Sequence, residues 1–223
     1  MTYDITYIVT IAGQPVSVAS ADAIQAWLAP YEIQLDSTKI HLVQKYIGLL
    51  VFWNQRINLT SITEQEEIVT RHFGESFYFS RVVPAEKGRL ADIGSGAGFP
   101  GLALKILLNE LQVFLIEQDT RKSTFLHEVV RLLDLRSATV CRVPFESLAP
   151  EVGNFDFIAS RAVGGHKHLL KWARGRLNAH GQVALWLGSE EAARIQALKG
   201  WRWPIIHAIP HSKRRVLIIG QPE

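Results

Sequence analysis

A chain of 223 residues with 48% hydrophobic content can bury one sizeable core plus an appendage, and its longest apolar run, Ile47 to Trp53, is far short of the roughly 20 residues of a membrane span. With no basic-then-apolar leader and a single cysteine, Cys141, whose apolar TVCRV setting predicts burial, the expectation is a cytoplasmic, monomeric protein without disulfide, structural metal or membrane contact. The net charge of +3 hides an asymmetry: residues 160–223 carry eleven Lys/Arg against three Asp/Glu, whereas residues 1–60 stand at −1 and residues 61–159 at −4, so the last third points to a polyanionic partner.

Residues 4–18 are rich in β-branched side chains around a Gly13-Gln14-Pro15 break and predict a hairpin. From Ser20 the period becomes helical. One short helix is expected to about Leu28, and Pro30 separates it from a longer one between about Ser37 and Asn58, with Ile40, Val43, Ile47, Leu50 and Trp53 on its apolar stripe. Trp53 is expected in the core, and Asn58 as the residue that ends the helix. A third helix is predicted from Thr63, with Glu66 completing a capping box, to about Val83 before Pro84.

After Gly88 short apolar runs alternate with amphipathic ones, the pattern of a parallel sheet with crossover helices. Strands are predicted near 89–93, 113–117, 138–143, 155–159 and 182–187, with two more near 203–209 and 214–219, making seven. Helices are predicted near 101–109, 121–133, 166–177 and 189–198. The fold class is therefore α/β, organised as an N-terminal extension (1–19), a helical segment (20–87) and a catalytic domain (88–223).

The strongest chemical signal is ADIGSGAGFPG at 91–101, which joins the first strand of the sheet to its helix. Gly96, Gly98 and Gly101 have GxGxxG spacing, which alone suggests a dinucleotide site with a pyrophosphate on the helix N-terminus. Asp92 argues otherwise, because a carboxylate at the strand end repels a diphosphate and suits a cationic ligand such as S-adenosylmethionine. Gly94, Gly96 and Gly98 let the backbone approach such a ligand. Glu117, at the end of the next strand, is placed to accept from two ribose hydroxyls. No Gly-Lys-Ser/Thr follows the glycines, which excludes a P-loop.

Five ordered motifs carry a resemblance from about Leu35 to Gly220: WNQRINLTSI at 53–62, RHFGES at 71–76, DIGSGAGFPG at 92–101, EQDTRKSTFL at 117–126 and SRA at 160–162. The chain resembles the small-subunit ribosomal RNA (guanine-N7)-methyltransferases of the glucose-inhibited division protein B family. That resemblance implies a class I, Rossmann-like methyltransferase sheet, S-adenosylmethionine as methyl donor, and a guanine of 16S rRNA, free or in a small-subunit assembly particle, as acceptor. By motif match it further implies that Gly94 and Phe99 line the donor, that Val143 and Pro144 border its adenine, and that Arg161 closes the site. The chain departs from the family pattern at Glu75, where Asp is usual, at Pro144, where an acid is usual, and at Leu187-Gly188, where Lys-Gly is usual.

Guanine N7 has a free lone pair, so its methylation needs no general base, and no catalytic residue is firmly expected; Arg161 and His72 are the candidates. Arg161 would bind a carboxylate or a phosphate. His72, Glu75 and Ser76 share a helical face that points to the donor cleft or, preferably, into a packed seam. Lys167, Lys171 and Arg174 form one cationic helix face, and Lys213, Arg214 and Arg215 a second cluster, as RNA contacts. A small-molecule methyltransferase and a non-catalytic nucleoside-binding module are the alternatives.

Overall fold

The structure, a computed structural model, describes residues 7–161 and 164–223; residues 4–6 of the expected hairpin and Ala162 of the SRA motif lie outside them. The hairpin forms as β1 (Tyr7–Ile11) and β2 (Gln14–Val18). Its turn is Ala12-Gly13 and not Gly13-Gln14-Pro15. The two residues with positive φ, 47° and 77°, are Ala12 and Gly13, and Pro15 is already paired with Thr10.

α1 (Ala21–Leu28) starts on Ser20, whose Oγ accepts from the Ala23 amide at 3.2 Å, and a single 3-10 turn holding Pro30 separates it from α2 (Ser37–Asn54). α2 stops at Asn54, earlier than the expected Asn58. Asn54 Oδ1 accepts from the amides of Leu59 and Thr60 at 2.9 and 3.0 Å, and its Nδ2 donates to the Thr60 carbonyl at 2.9 Å. This one amide side chain folds the chain back on itself, the part expected of Asn58, which is exposed.

The third helical stretch, α3, starts at Gln65, and Thr63 makes no capping box. Gln65 explains the shift: its Oε1 accepts from the Ala19 amide at 2.6 Å and its Nε2 donates to the Ser17 carbonyl at 3.0 Å, so the hairpin sets where the helix begins. α3 is irregular, running through Gln65–Glu67, a π-helical Ile68–Gly74, Glu75–Phe77 and Phe79–Val82. The wide turns change which residues share a face.

The remaining elements alternate as read. They are β3 (Lys87–Ile93), α4 (Gly101–Leu107), β4 (Glu110–Ile116), α5 (Thr120–Leu132), β5 (Ala138–Cys141) and β6 (Phe155–Arg161), followed by α6 (His166–Arg174), β7 (Leu177–Gly188), α7 (Ser189–Gln196), β8 (Trp201–Ala208) and β9 (Arg215–Pro222). They form a seven-stranded sheet in the order β5-β4-β3-β6-β7-β9-β8, parallel from β5 to β7, with β9 antiparallel to both its neighbours. Cys141 is half-buried at the end of β5, less enclosed than its apolar run suggested, because β5 is the edge strand and has a neighbour on one side only.

Alternation along the strands splits the interior in two. Leu90, Val113 and Leu115 face a core shared with α2, α3, α4 and α5, while Ala91, Ile93 and Ile116 face one with α6 and α7. The first core runs without a break from the hairpin and α1 into the sheet, so the helical segment is the cover of one sheet face. Phe79 of α3 meets Phe157 edge-on at 5.5 Å, and Trp186 Nε1 of β7 donates to the Glu75 carbonyl at 2.8 Å. Among the described residues no helix is long and apolar enough to cross a membrane.

Candidate functional site

From β3 the chain builds outward to β4 and β5, then returns to β6 on the other side. The crevice at the carboxyl ends of β3 and β6 is therefore the topological switch point, where ligands of open α/β sheets bind. Two cavities open there, one on each side of the switch.

The first has a volume of about 220 Å³ and is bordered by Gly94, Ile116, Glu117, Val143, Pro144 and Phe145. Its walls are mostly apolar, with the exposed Gln118 and Glu146 at the rim and Glu117 buried and well connected: Oε2 accepts from the Gly96 amide and Oε1 from the Asp119 amide, both at 2.9 Å. A carboxylate has about four lone-pair sites, so Glu117 shapes the loop and still has acceptor capacity toward the cavity. Gly96 has a φ of 54°, and an added Cβ would meet nothing nearer than the Gly94 carbonyl at 3.8 Å. That open side is where a ligand can approach the backbone. An apolar slot with an acid at its rim and bare backbone beside it fits an adenosine-type group, with Gly94, Gly96, Glu117, Val143 and Pro144 in position to hold it.

Asp92 is placed differently from the expectation of direct contact. It is fully buried beneath the loop, its Oδ2 accepts from the Gly101 amide at 2.9 Å, and Oδ1 has no partner among the described residues. Burial pushes its carboxyl up to about 7, against the lowering effect of the Gly101 hydrogen bond. A Cβ on Gly101 would strike Asp92, so the last glycine of the motif makes room for the acid and not for a ligand.

Phe99 lies in the seam under α2 and α3. Its ring is parallel to Tyr46 at 5.3 Å and to His72 at 4.7 Å, and the Tyr46 hydroxyl donates to the Ala97 carbonyl at 2.7 Å. His72 is held by Thr60 Oγ1 at 2.9 Å from Nε2. Burial pushes its imidazole down to about 3, which keeps the ring neutral near pH 7.

The second cavity, about 390 Å³, lies beyond β6 between Arg71, Arg161, His166, Trp186 and Arg215. At its floor Glu75, with a side chain 1% exposed, faces Arg161 at 3.6 Å and pairs with Arg215. Burial pushes the Glu75 carboxyl up, and the two guanidiniums pull it back. Arg161 Nη1, Arg215 Nε and Arg71 Nε have no acceptor among the described residues. Arg71 also pairs with Glu67 at 3.1 Å, and Glu191, which lines the same cavity, pairs with His166 at 2.8 Å, so the spare donors of the cleft come chiefly from Arg161 and Arg215, which share Glu75.

The seam reading of His72, Glu75 and Ser76 fits this arrangement. All three are buried, His72 and Glu75 serve opposite sides of the switch, and Ser76 Oγ donates to the His72 carbonyl at 2.6 Å. Trp53 packs partly buried against Phe125. Of the expected RNA residues, Lys167, Lys171, Arg174, Lys213 and Arg214 are exposed. Arg174, though exposed, also donates to the Gly200 carbonyl and lies over Trp201, whereas Arg215 turns inward to Glu75. Tyr46 and Arg71 were missed from sequence. A tyrosine on an apolar stripe looks like core, and its one signal was a hydroxyl that, once buried, must find a partner.

A family model described as rRNA small subunit methyltransferase G matches residues 39–202. Ribosomal RNA small subunit methyltransferase G of Roseiflexus sp. (strain RS-1) is 37% identical over 166 residues, which is 73% of this chain and 71% of that protein. Its counterpart in Desulfitobacterium hafniense (strain Y51) is 37% identical over 170 residues, 75% of this chain and 70% of that one. Among solved structures, a ribosomal protein L11 methylase from Lactobacillus delbrueckii subsp. bulgaricus superimposes with a TM-score of 0.58 at 15% identity, over 69% of this chain and 79% of that chain, a likeness of fold. The motif match, the sheet order and the cleft at its switch point thus agree, and the chain belongs to the rRNA small subunit methyltransferase G family, as a class I, S-adenosylmethionine-dependent methyltransferase.

Proposed function

We propose that this chain methylates N7 of a guanine in 16S rRNA, working as a monomer in the cytoplasm on free RNA or on an assembling small subunit. The observation that carries the reading is the pairing of two unlike cavities across one switch point, an adenosine-sized slot with apolar walls and an acidic rim on one side and, on the other, a cleft lined by Arg71, Arg161 and Arg215 together with Glu191.

The bound donor supplies an electrophilic methyl group. The chain's own work is placement. Gly94 and Gly96 offer backbone to the donor's amino-acid and ribose parts, Glu117 accepts from the ribose, and Val143 and Pro144 border the base. Arg161, with Arg71 and Arg215, faces the acceptor side, where phosphates next to the target guanine would be held. Holding the two reactants in line is worth at most about 7 to 11 kcal/mol of barrier. N7 carries no proton, so none has to be removed. The titratable groups around the crevice suit that chemistry: His72 is neutral and bonded to Thr60, Glu75 is paired with arginines, and Asp92 lies beneath the loop. Lys167, Lys171, Lys213 and Arg214 add a diffuse attraction for the RNA backbone.

The test is transfer of labelled methyl from S-adenosylmethionine into small-subunit RNA, followed by nucleoside analysis. Label in 7-methylguanosine is expected. Label on an exocyclic amine, or none with either naked RNA or small subunits, overturns the reading. Lys171→Ala should weaken RNA binding and lower its salt slope by about one, with no change in base preference.

A further inference from the structure

The glycine loop is braced from behind by residues that do not touch the cavity. The fully buried Tyr46 of α2 reaches across the seam and donates to the Ala97 carbonyl at 2.7 Å, within the loop itself. Gly98, with a φ of 86°, makes this possible, since a Cβ there would collide with the Tyr46 hydroxyl. The third glycine of the loop is thus used up by Tyr46 and not by a ligand. Phe99 continues the brace: its ring is parallel to Tyr46 and to His72, with interplanar angles of 10° and 14°, and Phe73 stands edge-on to both Tyr46 and Phe99. His72 is anchored in turn to Thr60, in the turn that Asn54 builds. Motifs at 53–62 and 71–76, remote in sequence from the donor loop, converge on its far side.

We propose that Tyr46 is a positioning residue for the methyl donor, acting through the Ala97 carbonyl to hold Gly94–Gly98 in its binding shape before the donor arrives. The proposal rests on the reading of the chain as an S-adenosylmethionine-dependent methyltransferase. A loop with several positive-φ glycines is costly to order, and a ligand that must order it binds more weakly by that cost. Tyr46 moves this ordering into folding, because its fully buried hydroxyl must be satisfied and, among the described residues, it is satisfied by the Ala97 carbonyl.

Tyr46→Phe keeps the ring against Phe99 and deletes only the hydrogen bond. Calorimetry with S-adenosylhomocysteine, which needs no RNA, should give binding about tenfold weaker than wild type. In turnover, KM for the donor should rise about tenfold while kcat and KM for RNA change by less than about twofold. An unchanged donor affinity in a folded Tyr46→Phe protein, even one with a lowered melting temperature, overturns the proposal and makes Tyr46 purely a packing residue. A wild-type protein that binds no S-adenosylhomocysteine overturns instead the methyltransferase reading. If Tyr46→Phe fails to fold, hydrogen exchange in the wild type decides. The Gly98 and Phe99 amides, which donate to the Ser95 carbonyl at 2.7 and 3.2 Å, should be protected before donor is added, and free exchange until donor binds overturns pre-ordering.

Discussion

A carboxylate buried as deeply as that of Glu75 persists only because Arg161 and Arg215 face it. Glu75→Gln keeps the shape and removes the charge, leaving two guanidiniums with no counter-ion. Breaking a fully buried pair costs about 3 to 5 kcal/mol, and since Arg215 reaches solvent a loss of about 2 to 4 kcal/mol is expected in urea unfolding. His72 and Asp92 make opposite predictions for pH. The folded His72 value of about 3 lies below the ordinary 6.5, so its contribution is complete above pH 6.5 and is lost as pH falls toward 3. The folded Asp92 value of about 7 lies above 3.8, so its contribution is complete below pH 3.8 and is lost as pH rises through 7. Unfolding midpoints measured against pH should therefore lose acid sensitivity in His72→Gln and lose the decline toward neutral pH in Asp92→Asn.

Among the elements, the turn after α2 depends on a single side chain. Asn54 makes three hydrogen bonds to the backbone at Leu59 and Thr60, and Thr60 in turn holds His72. Asn54→Ala should cost about 1 to 3 kcal/mol in thermal or urea unfolding, because its partners are partly buried and have no ready substitute. Asp119 presents the simpler case of a helix cap: its Oδ1 accepts from the Arg121 and Lys122 amides at 2.9 and 3.0 Å. Asp119→Ala should cost about 1 kcal/mol. The Asp119 amide that donates to Glu117 is backbone and survives the change to Ala, so Asp119→Ala, like the Ser20→Ala cap variant remote from the crevice, should lower stability and leave donor affinity unchanged.

For the molecule as a whole, one core runs from the hairpin through α1, α2 and α3 to the sheet. Calorimetry of the intact chain should accordingly show a single cooperative transition. A fragment of residues 88–223 exposes the sheet face that carries Leu90, Val113, Leu115 and Trp186, and should bind a hydrophobic dye and lack a sharp melt. Two separable transitions, or a fragment with a sharp melt of its own, would show that the helical segment is a domain in its own right.

Local chemistry is written in short range, and it was legible in the residues alone: strand and helix alternation after Gly88, the glycine loop, Glu117 at its strand end, the cationic last third and the family motifs. What tertiary structure decided is where each polar group finds its partner. Asn54 and not Asn58 turns the chain: Asn54 points back to the Leu59 and Thr60 amides, while Asn58 is exposed. Arg215 leaves the surface cluster of Lys213 and Arg214 because the irregular α3 brings Glu75 beneath it. Gly98 and Gly101 have the spacing of ligand-contacting glycines, yet their empty sides hold Tyr46 and Asp92. Periodicity shows which face a residue is on, but what fills the space opposite depends on chain segments dozens of residues away, and burial then obliges every hydroxyl, amide and charge there to find a partner.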